Sequence, residues 1–334
     1  VKRHANLAFF VPHLGCPHQC VFCDQKSISG EQKAPDPEEV AGVCGRYLPQ
    51  NGEGTEIAFF GGSFTAIDRQ TMVSLLEAAY PFVEEGRASG IRISTRPDAV
   101  DDEILGILGS YGVKSIELGA QSMSDHVLRA NGRGHDSASV VRASELIRSR
   151  GFSLGLQMMV GMYGEDDHAD MAEYTASRLA ELCPETVRIY PTIVVENTAL
   201  AALYRSGRYV PLELEEAVEI TASLMEMFRS RGITVIRTGL HYEQSLIDSM
   251  VAGPYHPAFG ELCESRILRR KIEREAAGAA AADVLCEPRL LSQAVGQKKS
   301  NSVYFADRGL DIRFIPDSSV TGIEVKTYSS KERI

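Results

Sequence analysis

No stretch of the chain approaches the roughly 18 to 20 uninterrupted apolar residues of a membrane-spanning helix, although 44% of its 334 residues are hydrophobic. The opening residues, VKRHANLAFFVPHLGC, lack the long apolar core and small-residue cleavage site of a secretion signal. A soluble, cytoplasmic protein with no membrane partner is therefore expected. Positive charge is also in deficit: 35 Lys and Arg stand against 45 Asp and Glu, a net charge of −10. That balance excludes broad, non-specific attraction to nucleic acid but leaves room for a local basic face. An even set of spaced cysteines is missing too. Three of the seven are packed between positions 16 and 23, which suits reduced thiols kept for a metal or cluster and not a secreted disulfide framework. Internal repeats and long low-complexity linkers are absent.

What is present is a series of short strand-like apolar runs: LAFFV (7–11), EIAFF (56–60), IRIST (91–95), KSIEL (114–118), SLGLQMMV (153–160) and TVRIYPTIV (186–194). Each is followed by helical periodicity. Asp101 is placed to cap a helix burying Ile104, Leu105, Leu108 and Tyr111. Leu214, Ala217, Val218, Thr221, Leu224, Met225 and Phe228 recur at the three- and four-residue spacing of one apolar helix face. Six β/α units in series predict a parallel sheet with right-handed crossovers, curled into a partial (β/α)6 TIM-like barrel, and a seventh run at 232–242 extends or closes one edge. The expected division is a barrel over 1–245 and, over 246–334, a C-terminal helix plus a small α/β module. That helix reads as basic and runs into alanine-rich sequence.

In such folds the loops after the strands converge on one mouth and carry the chemistry. The unusual residues fall in those loops. After the first run, Cys16-x3-Cys20-x2-Cys23 supplies three thiolates that can hold three irons of a 4Fe-4S cube, leaving the fourth iron open to a small molecule. The competing reading is a closed zinc knuckle with His13 or His18 as fourth ligand. After the second run, Gly61-Gly62 lets backbone approach a ligand closely, or is an ordinary βα turn. Gln121 and Arg133 bring an amide and a guanidinium towards the mouth, the latter suited to a carboxylate, and Gln157 is a polar position on the fifth run. Cys44, Cys183, Cys263 and Cys286 show no pairing and read as structural thiols.

Together GCPHQCVFC, FFGGSF, STRPD, ELGAQSM, NGRGH, QMMVGMYGE and RIYPTIVVENTALAALYRSGRY resemble the radical S-adenosylmethionine (SAM) enzymes, and within them the Elongator catalytic subunit and its stand-alone bacterial relatives. The likeness covers roughly residues 5–245. It implies that Cys16, Cys20 and Cys23 ligate a 4Fe-4S cluster whose fourth iron is chelated by the amino and carboxylate groups of SAM. Gly61 and Gly62 would bind the SAM amino group. Gln121 and Arg133 would contact its ribose and carboxylate, as residues so spaced do in coproporphyrinogen-oxidase-like members, and Gln157 would match their fifth-strand polar position. The implied chemistry is one-electron cleavage of SAM, fed by a flavodoxin- or ferredoxin-type donor, to a 5′-deoxyadenosyl radical that modifies tRNA or other RNA. The chain departs from the Elongator pattern at Ser94, where an acid is usual, and in the closer spacing of Cys16 and Cys20. Nothing after residue 245 resembles the acetyltransferase domain.

Two alternatives stand beside RNA: the same chemistry on a small, porphyrinogen-like metabolite, and a non-enzymatic zinc-binding adaptor. One further feature bears on RNA. AVGQKKSNSVYFADRGLDIRF (294–314) resembles the GxxG half of a KH domain, with Lys299 at the second glycine, and follows a helix carrying Arg266, Arg269, Arg270, Lys271 and Arg274. The blander reading is a cap on the barrel with a solvated charged face. The cysteine assignment predicts that Cys20→Ala abolishes both brown colour and SAM cleavage after anaerobic reconstitution, whereas Cys183→Ala leaves both nearly intact. Lost cleavage in the second variant would show the spare thiols to be misassigned.

Overall fold

A computed structural model describes residues 5–11, 16, 19–24, 33–50 and 52–329. Its strands are β1 (Ala5–Val11), β2 (Thr55–Gly61), β3 (Gly90–Thr95), β4 (Val113–Gln121), β5 (Ser153–Val160), β6 (Thr186–Pro191), β7 (Val194–Val195), β8 (Thr234–Thr238), β9 (Met250–Ala252), β10 (Ala281–Cys286), β11 (Asp311–Pro316) and β12 (Ile323–Tyr328). Seven of them form one parallel sheet in the order β1-β2-β3-β4-β5-β6-β8. This is the curled, TIM-like α/β half-barrel that the alternating pattern predicts, and the seventh run extends the β6 edge. The sixth run is shorter than its apolar pattern suggests. It ends at Pro191, and Val194–Val195 turns away to pair antiparallel with β9.

The helices are α1 (Pro37–Tyr47), α2 (Arg69–Glu84), α3 (Asp102–Ser110), α4 (Asp125–Ala130), α5 (Ser137–Ser149), α6 (His168–Glu181), α7 (Ala199–Arg205), α8 (Leu214–Ser230), α9 (Gln244–Ser249), α10 (Phe259–Glu275), α11 (Leu291–Val295) and α12 (Ser300–Asp307). The first seven each begin at an Asp, Ser or Thr whose side chain accepts a free first-turn amide: Asp36, Asp68, Asp101, Ser124, Asp136, Asp167 and Thr198. The caps set where each crossover leaves its loop. Asp101 accepts from the Ile104 amide at 2.8 Å, and α3 buries Ile104, Leu105 and Leu108 as expected, whereas Tyr111 caps the helix C-terminus and is only half-buried. Alternate strand residues such as Ile57, Phe59, Ile91, Ile93, Ile116 and Leu118 join these helices in one apolar core.

Beyond the barrel, β10 is the centre of a three-stranded sheet, parallel to β11 and antiparallel to β12. The alanine-rich stretch supplies this strand, because Ala281 and Ala282 are small enough to be fully buried under the helices. Helix α10 serves both cores: Phe259 and Cys263 pack into the barrel, Ile272 into the small sheet. Its basic row is not a free surface. Arg266 pairs with Glu215 and Glu219, and Arg270 with Glu219 and Glu226, so an acidic row on α8 largely neutralises the arginines that the sequence offers to RNA. The Gly296–Lys299 turn links α11 to α12 and leaves Lys298 and Lys299 exposed in the left-handed region, φ 51° and 63°. Buried Asn301 fastens this turn to α10 by donating to Ser265 Oγ and the Ala294 carbonyl, both at 3.0 Å. Asn301→Ala strands those acceptors and is expected to cost roughly 2 kcal/mol, read as a lower urea midpoint at unchanged slope.

Candidate active site

Strands buried on both faces of a parallel sheet are normally apolar throughout, but here the concave side carries charged and polar residues on strands β2 to β6. Arg92 on β3 donates from Nε to Glu56 on β2 at 2.6 Å and from Nη1 to Glu117 on β4 at 3.1 Å. Arg188 on β6 donates to both Glu117 oxygens at 2.6 and 2.9 Å, and its guanidinium lies 4.9 Å from the centre of the Phe60 ring. Gln157 on β5 donates to Glu117 at 2.9 Å and to Ser94 Oγ at 3.3 Å, and Ser115 Oγ donates to Glu56 at 2.8 Å. Glu117 is completely buried. Burial by itself would raise its carboxyl, but the charges and hydrogen bonds of Arg188 and then Arg92, with Gln157, hold it below the usual carboxylate range. Gly155 makes room for it, since a Cβ there would lie 2.8 Å from Glu117 Cγ.

Above this floor the loops interlock. The cluster-type loop is held on two sides: the Val21 amide donates to the Asn131 carbonyl at 3.1 Å, and the Leu200 amide to the Val21 carbonyl at 2.8 Å. Phe22 packs with Val194, Leu200 and Tyr209. Cys20 is buried, and Arg133 Nη1 donates to its sulfur at 3.2 Å while Nη2 donates to the Gly119 carbonyl at 2.6 Å. Burial, followed by repulsion from the neighbouring thiols, raises Cys16 and pushes Cys23 up to about 12. The sulfurs act on one another electrostatically, and the thiolate forms of Cys16 and Cys23 need a cationic partner. Among the described residues no three His, Cys, Asp or Glu side chains close round a single ion, whereas a cube spreads three thiolates over three irons. His13 and His18 lie outside the described residues.

Gly61, at φ +104°, ends β2 where a Cβ would lie 3.0 Å from the Val11 carbonyl oxygen, and the Gly62 amide donates to that oxygen at 2.7 Å. Next to it Ser63 Oγ hydrogen-bonds Thr95 Oγ1 at 2.8 Å and accepts from the Arg96 amide at 3.2 Å, tying the second loop to the third. Arg96 takes Asp98 through two bonds of 3.0 Å and donates to the Arg133 carbonyl at 2.7 Å, tying the third to the fourth. Gln121 holds φ 67° at the end of β4. A Cβ at Gly119 would come within 3.1 Å of Gln121 Nε2 and 3.4 Å of Arg133 Nη2, so glycine is what lets both side chains converge there. Gln121 Oε1, Arg133 Nε and His135 Nδ1 are buried with no partner among the described residues. Three unsatisfied polar atoms around one mouth mark where a polar ligand is received.

Residues 10–175 match the radical SAM superfamily and residues 184–269 the radical SAM C-terminal domain. The chain belongs to the radical SAM superfamily. This radical SAM enzyme is similar to an uncharacterised protein of Methanocaldococcus jannaschii, 29% identical over 241 residues, covering 67% of this chain and 73% of that protein. It is also similar to a tRNA uridine(34) acetyltransferase of the same organism, 27% identical over 245 residues, covering 61% of this chain and 45% of that protein. The match thus spans about half the length of the acetyltransferase. Among solved structures it shares its fold with the archaeal Methanocaldococcus infernus Elp3, at TM-score 0.64 and 20% identity over 80% of this chain and 63% of that one. Among the described residues no helix is long and apolar enough to cross a membrane.

In the radical SAM half-barrel, the fold brings Cys16, Cys20, Cys23, Gly61, Gly62, Gln121 and Arg133 to one rim. Gln157 lies lower, committed to Glu117 and Ser94. Sequence reasoning missed Ser63, Arg96, Asn131 and the Glu56–Arg92–Glu117–Arg188 floor. The signal for the floor was present, because charges at alternate positions of a parallel strand require a polar interior. His135, packed against the Ala120 carbonyl, has its pKa lowered to about 4 by burial and then by Arg133 and Arg96. Below the ordinary value of 6.5 the unfolded chain takes up a proton that the folded chain refuses, so stability falls with pH between about 6.5 and about 4, by up to ~3 kcal/mol. Urea unfolding across that window should show the loss, and His135→Gln should flatten that part of the slope.

Proposed function

We propose that this radical SAM enzyme cleaves SAM reductively at a 4Fe-4S cluster ligated by Cys16, Cys20 and Cys23, and uses the resulting radical chemistry to modify tRNA or another RNA. The observation carrying the reading is the convergence of three free thiols, Cys20 buried and Cys16 and Cys23 half-buried, with the unsatisfied Gln121 Oε1 and Arg133 Nε at one mouth. These residues fit the cofactors: three sulfurs for three irons, leaving the fourth iron for SAM, and an amide and a guanidinium for its ribose and carboxylate. When bound, the pair supplies one-electron cleavage of a sulfonium, giving a 5′-deoxyadenosyl radical able to take hydrogen from an unactivated C–H bond.

The chain's own residues perform the rest. The Asn131 and Leu200 backbone groups fix the thiol loop against the barrel. Gly61 and Gly62 open backbone to the amino group, and Arg133, braced through its carbonyl by Arg96, orients the carboxylate. The charged floor needs no proton transfer for the first step. Its role is to keep the chamber rigid and its shape fixed beneath the reacting carbon. RNA as substrate is supported by the similarity to a tRNA uridine(34) acetyltransferase, and exposed Lys298 and Lys299 are among the cations of the small module suited to phosphate contact. The electron donor is assigned as a flavodoxin- or ferredoxin-type protein. Anaerobically reconstituted protein given a one-electron reductant should form 5′-deoxyadenosine, at least several-fold faster with bulk tRNA. Cleavage unmoved by tRNA but accelerated by a small-metabolite pool would transfer the proposal to the metabolite reading. Zinc in place of acid-labile sulfide would end both.

A further inference from the structure

Five charged side chains stand on the inner strand face: Glu56, Arg92, Glu117, Arg188 and Arg237. Arg92 bridges Glu56 and Glu117, and Arg188 grips Glu117 through two nitrogens. Two carboxylates thus offset two of the three guanidiniums, and Arg237 is left over. It is matched to Arg188 across the β6–β8 ladder just past a register shift that skips Ile236, and its charge acts on Arg188 and Tyr190 of the inner face. Arg237 is half-buried, and among the described residues its one hydrogen bond runs from Nε to the Gly239 carbonyl at 3.1 Å. No carboxylate among the described residues pairs with it. The titratable groups beside it are Tyr190, Arg188 and His241, and the imidazole of His241, an exposed residue, has its pKa lowered by partial desolvation and by Arg237 and Arg188, so that it offers no negative charge. A guanidinium withdrawn from water without a counter-charge is unfavourable, and its planar fork matches phosphoryl or carboxylate oxygens.

We propose that Arg237, with Tyr190 beside it, forms a subsite for an oxyanion carried by the substrate. The subsite rests on the reading of this chamber as the reaction site. It gives the chamber two ends. The thiol loop, Gly61–Gly62, Gln121 and Arg133 lie at β1–β4, and Arg237 lies on the last strand of the sheet, β8. A substrate anchored at Arg237 extends back across the floor towards the β1–β4 rim. If RNA is the substrate, the oxyanion is a backbone phosphate.

Differential modification with phenylglyoxal, read at each arginine by mass spectrometry on the reconstituted full chain, tests this. Millimolar inorganic phosphate is expected to slow adduct formation at Arg237 at least fivefold and leave exposed Arg129 on α4 unchanged. Phosphate should also raise the melting temperature of wild type and of Arg237→Lys, and not that of Arg237→Gln. An Arg237 rate indifferent to phosphate, or an equal phosphate shift in Arg237→Gln, overturns the subsite. Protection by phosphate without protection by tRNA supports the subsite and counts against RNA as the substrate.

Discussion

The half-barrel is organised around one buried carboxylate. Glu117 sits at the middle of the sheet with no exposure to water and is ionised because Arg92 reaches it from neighbouring β3 and Arg188 from β6, across β5. The desolvation penalty of each charge is offset only while all are present, and breaking such a pair generally costs about 3–5 kcal/mol. That interdependence locks strands β2, β3, β4 and β6 in mutual register. It also denies the interior to apolar filling, so the curled sheet encloses a polar chamber and not a second hydrophobic core.

The mouth is built on that chamber by a relay of loop-to-loop contacts. Ser63 holds the third loop, Arg96 holds the fourth, and Arg133 reaches back to Cys20 in the first. No single loop positions the site. Each motif is held by a neighbour distant in sequence, which gives a set of short, otherwise unremarkable segments a common geometry before any ligand binds. The raised thiols of Cys16 and Cys23 are the counterpart of this preorganisation: they are gathered where, by themselves, they resist ionising.

Much of this was legible in the sequence. Apolar runs alternating with helical periodicity were enough for seven parallel strands, and acidic or hydroxyl caps marked the helix starts. The cysteine spacing and the Gly-Gly, Gln and Arg positions pointed to one rim because loops after parallel strands must share an end. Less legible were contacts whose partners lie far apart in sequence. The arginines of α10 looked available until α8 laid its glutamates against them. Gln157 looked like a rim residue until the depth of its position on β5 placed it against Glu117.

The sequence by itself determined the element types, their order, the parallel sheet and the thiol triad, because these follow from local periodicity, capping and spacing. Only the tertiary structure decided which charges neutralise one another. Pairing depends on strand curl and register across dozens of residues, and so does the identity of Arg237 as an interior guanidinium that, among the described residues, no carboxylate meets.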